Sequence, residues 1–332
     1  MLTAVLTVAL LAGWSAAGEA VTLPTCDNNI CAFDGDFTVM SLPFAGVTVK
    51  SSPGHIKDGV VVYTGAGGVP VTTNVAGMDD AFPSVTGSKN PSFTTTTGGT
   101  DPGGTGQFAG DVQSWDSTLS AFIGFLGGST PIFFFNQNDN NNSDPDGSCP
   151  GADSGQDVCV YGSVTLVDLQ NSANNVTFEL EGPTTLFTGG PQPTDGVFTP
   201  PNDWVLAKGD VCLDAGGAQT PCDGSGNPVV FGPENHNLGA DQAAYAAFSD
   251  LLNSLLATCA ADPNAGSSVG CPWDSISIRL ELTDLNNGYE QLFILTADQV
   301  TQQPVPVPGT LILLGAGLMG LGASAWRRRQ RG

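Results

Sequence analysis

The chain has 332 residues and carries 32 Asp and Glu against 9 Lys and Arg, a formal net charge of −23. Such a chain repels nucleic acid and anionic lipid, which excludes nucleic acid as a partner, and it favours solubility and cations. Of the acids 26 are Asp and 6 are Glu, and Asp is the carboxylate of loops and of oxygen-ligand sites, although a saline habitat would select the same bias.

The first twenty residues, MLTAVLTVALLAGWSAAGEA, join an apolar core to the small residues Ala17 and Ala20, the pattern of a signal peptide that signal peptidase removes. A basic start is missing. A secreted β-rich domain then spans 21–304, and loss of Glu19 and of Arg327, Arg328, Arg329 and Arg331 takes its formal charge to about −26. Its eight cysteines fall into four close pairs: Cys26 and Cys31, Cys149 and Cys159, Cys212 and Cys222, Cys259 and Cys271. An even count suits an oxidising compartment, and local bridges would each stabilise the fold by about 2–3 kcal/mol through chain entropy. Zinc is the rival use, but no CxxC occurs and the two histidines, His55 and His236, stand apart from the cysteines.

DGVVVYTG reads as an early strand. From 86 to 107, TGSKNPSFTTTTGGTDPGGTGQ is a low-complexity loop with almost no large apolar residue, expected to lie outside any core. In DVQSWDSTLSAFIGFLGG, Trp115, Leu119, Phe122, Ile123 and Leu126 share one helical face that Gly127 and Gly128 end. PIFFFNQN is a buried strand. VCVYGSVTLVDL and NNVTFELEG form a hairpin, with Val176, Phe178 and Leu180 on one face and Thr177, Glu179 and Glu181 on the other. Shorter strands follow in NDWVLAKGDVCL and NPVVFG. A second helix is expected over about Asp241 to Thr258, with Tyr245, Phe248, Leu252, Leu255 and Leu256 along one stripe. SISIRLELTDLNNGYEQLFILTA reads as a hairpin, because Ile276, Ile278, Leu280 and Leu282 alternate and Asn287-Gly288 is the preferred tight-turn pair. These elements predict a mainly β fold, an antiparallel β-sandwich or jelly-roll-like body with two short helices.

Between the buried strand and the first hairpin lies NQNDNNNSDPDGSCPGADSGQD. Asn142, Asp144 and Asp146 occupy positions 1, 3 and 5 of a calcium loop, with Gly147 at 6, the Ser148 carbonyl at 7 and Asp153 at 12. Alternate spacing lets oxygens converge on a hard cation, so Ca2+ is the one cofactor suggested. Against it, Asn replaces the first Asp, a short Asp ends the pattern and no helices flank it; a solvated polar loop clipped by Cys149 and Cys159 is the plainer reading. Catalytic patterns are thin, with no G-x-S-x-G and no H-E-x-x-H, and two histidines leave little scope for a Ser-His-Asp site. His236 reads as a turn or capping residue before the second helix. Trp204 and Trp273 read as core or bridge-covering residues rather than sugar platforms.

The chain ends VPVPGTLILLGAGLMGLGASAWRRRQRG. Thr310 to Trp326 carry no charge and form a short transmembrane helix over 310–326, and the arginines after it hold that end in the cytoplasm. Gly315, Gly317 and Gly320 spell a dinucleotide fingerprint, but within an anchor and without its strand they mean close helix packing instead. The box Val305, Pro306, Val307, Pro308, then the Gly-rich helix, then Arg327, Arg328 and Arg329 resemble the PEP-CTERM sorting signal over residues 305–332, with Val307 where that family usually has Glu. The resemblance implies a Gram-negative producer of exopolysaccharide, processing by an exosortase at the Pro box and transient anchoring in the inner membrane. The reading is a non-enzymatic protein of the cell surface or extracellular matrix, in contact with exopolysaccharide or other envelope components. Its alternatives are a secreted polysaccharide-acting hydrolase and a calcium-dependent carbohydrate-binding module.

Overall fold

The computed structural model describes residues 23–301 apart from 28, 53–55, 57, 65–73, 84–91, 96–113, 139–155, 183–184, 187–202, 240, 263–265, 267 and 286–289. In chain order the strands are β1 (Cys31–Asp34), β2 (Phe37–Ser41), β3 (Val60–Thr64), β4 (Phe82–Pro83), β5 (Ser92–Thr94) and β6 (Trp115–Thr118). Helix α1 (Leu119–Leu126) precedes β7 (Pro131–Asn136), β8 (Val158–Val167), a 3-10 turn at Ser172–Asn174, and β9 (Val176–Leu180). Then come β10 (Thr185–Leu186), β11 (Val205–Ala207), β12 (Asp210–Leu213), β13 (Phe231–Asn235) and β14 (Tyr245–Phe248). Helix α2 (Asp250–Ala261), β15 (Ser275–Thr283), β16 (Gln291–Thr296) and the short α3 (Ala297–Thr301) complete the unit, which spans Thr22–Thr301.

The strands build a mainly β sandwich. One sheet has the order β10-β1-β2-β14-β7-β16-β3-β4, and the other β11-β8-β15-β5, with β9 also on β8 and β6 also on β15. Described pairings are antiparallel except β3 with β4. The large sheet is buried on both faces, which is why β7 is a continuous apolar run: Phe133 and Phe135 face the core shared with the second sheet, while Ile132 and Phe134 enter a separate cluster with Met40, Leu42, Phe293 and Val300. The second sheet covers the large one from a single side, so β15 alternates as its sequence does, with Ile276, Ile278, Leu280 and Leu282 inward.

Several sequence expectations are corrected. β15 and β16 do not pair; β15 lies between β8 on one side and β5 and β6 on the other, whereas β16 lies between β7 and β3 in the opposite sheet. The two strands therefore form no hairpin and belong to different sheets, and Asn287-Gly288 lies outside the described residues. Helix α2 begins at Asp250, because the Ser249 side chain accepts the Leu252 N–H (3.4 Å) and caps it. Tyr245 and Phe248 belong instead to β14, held between β2 and β7. Trp115 likewise lies in β6, since Thr118 caps α1 by accepting the Ala121 N–H (3.1 Å). Within the low-complexity stretch, Ser92–Thr94 pairs with β15 and Phe93 is in the core, its ring 4.2 Å from that of Tyr63 and tilted 40° to it. One aromatic is enough to seat an edge strand in an otherwise polar segment. Glu179 and Glu181, expected on an outer face, are buried; the Tyr161 hydroxyl donates to Glu179 Oε1 (2.9 Å).

Disulfides join Cys26 to Cys31, Cys212 to Cys222 and Cys259 to Cys271, at sequence separations of 5, 10 and 12. The first clips the start of β1, the second ties β12 to its loop, and the third holds the last turn of α2. Cys159 is disulfide-bonded as well, and Cys149 lies outside the described residues.

Candidate functional site

A cavity of about 370 Å³ lies between the sheets. Val39, Phe133 and Phe135 line it from the large sheet, and Val160, Val164 and Leu280 from the other. One wall is polar, where three segments distant in sequence meet. Ser41 ends β2, His236 follows β13, and Tyr245 opens β14 in direct register with Ser41.

His236 is 0 % exposed, and the contacts of both ring nitrogens define its state. Nδ1 lies 2.9 Å from the Glu234 carbonyl, an acceptor only, so Nδ1 carries the proton. Nε2 then accepts from the Ser41 hydroxyl at 2.6 Å. Ser41 Oγ accepts in turn from the Phe44 N–H (3.2 Å). The imidazole stacks on the Tyr245 ring at 4.8 Å and 20°, and Tyr245 donates its hydroxyl to the Lys208 carbonyl (2.9 Å). Burial pushes His236 down to about 4, so the ring is neutral near pH 7. The Tyr245 phenol is driven well above its usual value, first by burial and then by the charges of Asp157 and Asp34. A hydroxyl hydrogen-bonded to a neutral imidazole is chemically a polar anchor or an activatable oxygen.

The turn reading of His236 is thus too modest: its backbone N–H does close onto the Gly209 carbonyl (2.6 Å), but its side chain joins two strands of the large sheet to β13. Ser41 was missed altogether, being 195 residues away, and no local signal marks it. Trp273 is buried in the core, as one of its two expected roles has it, and donates Nε1–H to the Asn174 carbonyl (2.7 Å). Trp204 is half-buried beside β11. The calcium-loop residues Asn142, Asp144, Asp146, Ser148 and Asp153 lie outside the described residues, as do His55 and the sorting residues. Among the described residues no cluster of three or more His, Cys, Asp or Glu is placed to hold a metal, and no helix is long and apolar enough to cross a membrane.

The fold and the tail define an exosortase-sorted secreted protein built on a disulfide-clipped β sandwich. The chain belongs to the family described as Domain of unknown function (DUF8239), whose model matches residues 21–271. The PEP-CTERM protein-sorting motif matches residues 304–329, which include Val305, Pro306, Val307, Pro308 and Arg327, Arg328 and Arg329. Comparison with curated proteins and with solved structures finds no match.

Proposed function

We propose that this is a non-enzymatic protein of the cell surface or extracellular matrix, resident in exopolysaccharide after exosortase has removed the tail. The observation that carries this reading is the sorting motif at residues 304–329 behind a sandwich stapled by local disulfides. Short-range bridges stiffen loops without depending on a bound partner, which suits a protein that works outside the cell. The strongly acidic, Asp-rich surface favours hydrated neutral glycans and cations over anionic polymers.

A hydrolase is the second reading, favoured by the contact of Ser41 with His236. A serine hydroxyl donating to a neutral imidazole is the start of a nucleophile–base pair that could act on ester groups of a polysaccharide. Against it stand the complete burial of His236 and the Phe44 N–H already held by Ser41 Oγ.

The test incubates the mature secreted protein with the producer's exopolysaccharide, with and without calcium. Retention on the polymer with no released sugar or acyl group is the expected result. Release of products that Ser41→Ala abolishes would establish the hydrolase instead, and saturable binding that requires calcium would establish a calcium-dependent carbohydrate-binding module.

A further inference from the structure

We propose that the cavity between the sheets binds a small neutral amphiphile, its apolar body against the inner sheet faces and a hydroxyl head on Ser41 Oγ. The inference goes beyond the envelope role, and its failure would leave the sorting and the exopolysaccharide reading untouched.

The inner faces carry the argument. Val39, Leu180, Ala247 and Leu292 are apolar core-facing positions, yet each is only partly covered by neighbouring side chains, and all four line the cavity. Such surfaces gain dispersion contact and lose contact with water when an apolar molecule lies against them. Gly162 adds an independent sign. It occupies an inward position of β8 between Val160 and Val164, opposite Leu280 and Leu180, where a strand would gain from a β-branched residue. A Cβ built there meets nothing nearer than the Arg279 carbonyl at 3.7 Å and Leu180 at 3.8 Å, so the fold itself does not demand glycine. A glycine inside a strand is characteristic of a place where another molecule approaches the backbone, and Gly162 lines this cavity. The volume lies within the range of small-molecule sites, which are mostly apolar with few polar groups.

The polar wall selects the head group. Ser41 Oγ gives its proton to His236 Nε2 and uses one lone pair for the Phe44 N–H, which leaves one lone pair to accept a ligand hydroxyl. Because the imidazole is neutral, Asp34 lines the cavity, and Arg279, the cation in the lining, is bonded to Glu281, an anionic head such as a fatty carboxylate is disfavoured.

The mature secreted protein is titrated with N-phenyl-1-naphthylamine, a neutral probe that fluoresces in apolar sites, and the probe is displaced by 1-decanol, decane or decanoate. Saturable probe binding should be displaced by decanol best and by decanoate least. Gly162→Val should fold with an unchanged or raised melting midpoint and bind the probe at least about tenfold more weakly, because its side chain fills the cavity. Ser41→Ala should weaken decanol by about tenfold, the scale of one hydrogen bond, and leave decane unchanged. The proposal is overturned if the probe does not bind saturably, if Gly162→Val binds it as wild type does, or if Gly162→Val melts lower, as it would were the space already packed by the chain. Equal displacement by decanol and decanoate, or a Ser41→Ala protein that treats decanol as wild type does, would overturn the assignment of the head.

Discussion

Asp36 and Glu179 exchange two hydrogen bonds across the sandwich: the Asp36 N–H donates to the Glu179 carbonyl (2.9 Å), and the Glu179 N–H donates to Asp36 Oδ2 (3.0 Å). The turn between β1 and β2 is thereby tied to β9 of the other sheet, beside the cavity wall. Gly35 makes the approach possible, since its φ is +60° and an added Cβ would sit 2.3 Å from the Glu179 carbonyl oxygen. Gly35→Ala should therefore destabilise by about 2 kcal/mol or more, from strain together with the clash. Gly46, at φ +66° with nothing within 4 Å, is the control, and Gly46→Ala should cost only about 1 kcal/mol. Urea denaturation of both variants checks the contrast, and equal losses would mean that the Gly35 contact does not hold the sheets.

His236 and Glu290 pull stability in opposite directions through weak acid. Burial lowers His236 from 6.5 to about 4, so as pH falls through that window the unfolded chain takes a proton that the folded chain refuses, and stability is lost. Burial raises Glu290 from 4.5 to about 7, so as pH falls from 7 the folded chain regains a proton before the unfolded chain does, and stability is gained. Each effect is on the order of 3 kcal/mol, and between 4.5 and 6.5 they offset. Glu290→Gln should expose the His236 slope. Its melting midpoint should fall steadily from pH 6.5 to 4.5, where that of the wild type changes little; parallel profiles would contradict the assignment.

How much of this could be read from the chain follows from what alternation encodes. Ile276 to Leu282 announced an inward face, and PIFFFN announced a buried strand, because face and depth are written in side-chain period. Partnership is not: β15 and β16 carry hairpin periodicity and a tight-turn pair between them, yet each finds its hydrogen bonds in a different sheet. Apolar spacing alone starts α1 and α2 too early, at Trp115 and about Asp241, because it continues through β6 and β14; the capping oxygens of Thr118 and Ser249 are the local signal that sets them. Ser41 and His236 were not legible as a pair, since only folding brings together residues 195 apart.

Cysteine pairing should be wholly local. Peptide mapping without reductant should find no free thiols, the three bridges described above, and Cys149 joined to Cys159. Replacing Cys259 and Cys271 together by Ser should lower stability by about 2–3 kcal/mol, the loop-closure value for a separation of 12. Long-range bridges to Cys149 would contradict the pattern.

Calcium is tested on the loop pattern of the sequence. If Asn142, Asp144, Asp146 and Asp153 bind it, the melting midpoint in millimolar calcium should exceed that in chelator by several degrees, since a hundredfold excess over Kd stabilises by about 2.7 kcal/mol. Magnesium should do less, and Asp144→Ala should remove the difference. Equal midpoints in wild type and variant, with calcium and with chelator, would make the loop a solvated polar segment.

The most direct test of the account compares mature protein from the producing strain with that from a strain lacking the exosortase, by cell fractionation and intact mass. The account predicts a chain truncated near Val305–Pro308 in the exopolysaccharide fraction of the first strain, and a longer membrane-bound precursor in the second. Replacing Arg327, Arg328 and Arg329 with uncharged residues should reproduce the second pattern in the first strain. Protein of the same mass in the same fraction from both strains would contradict it.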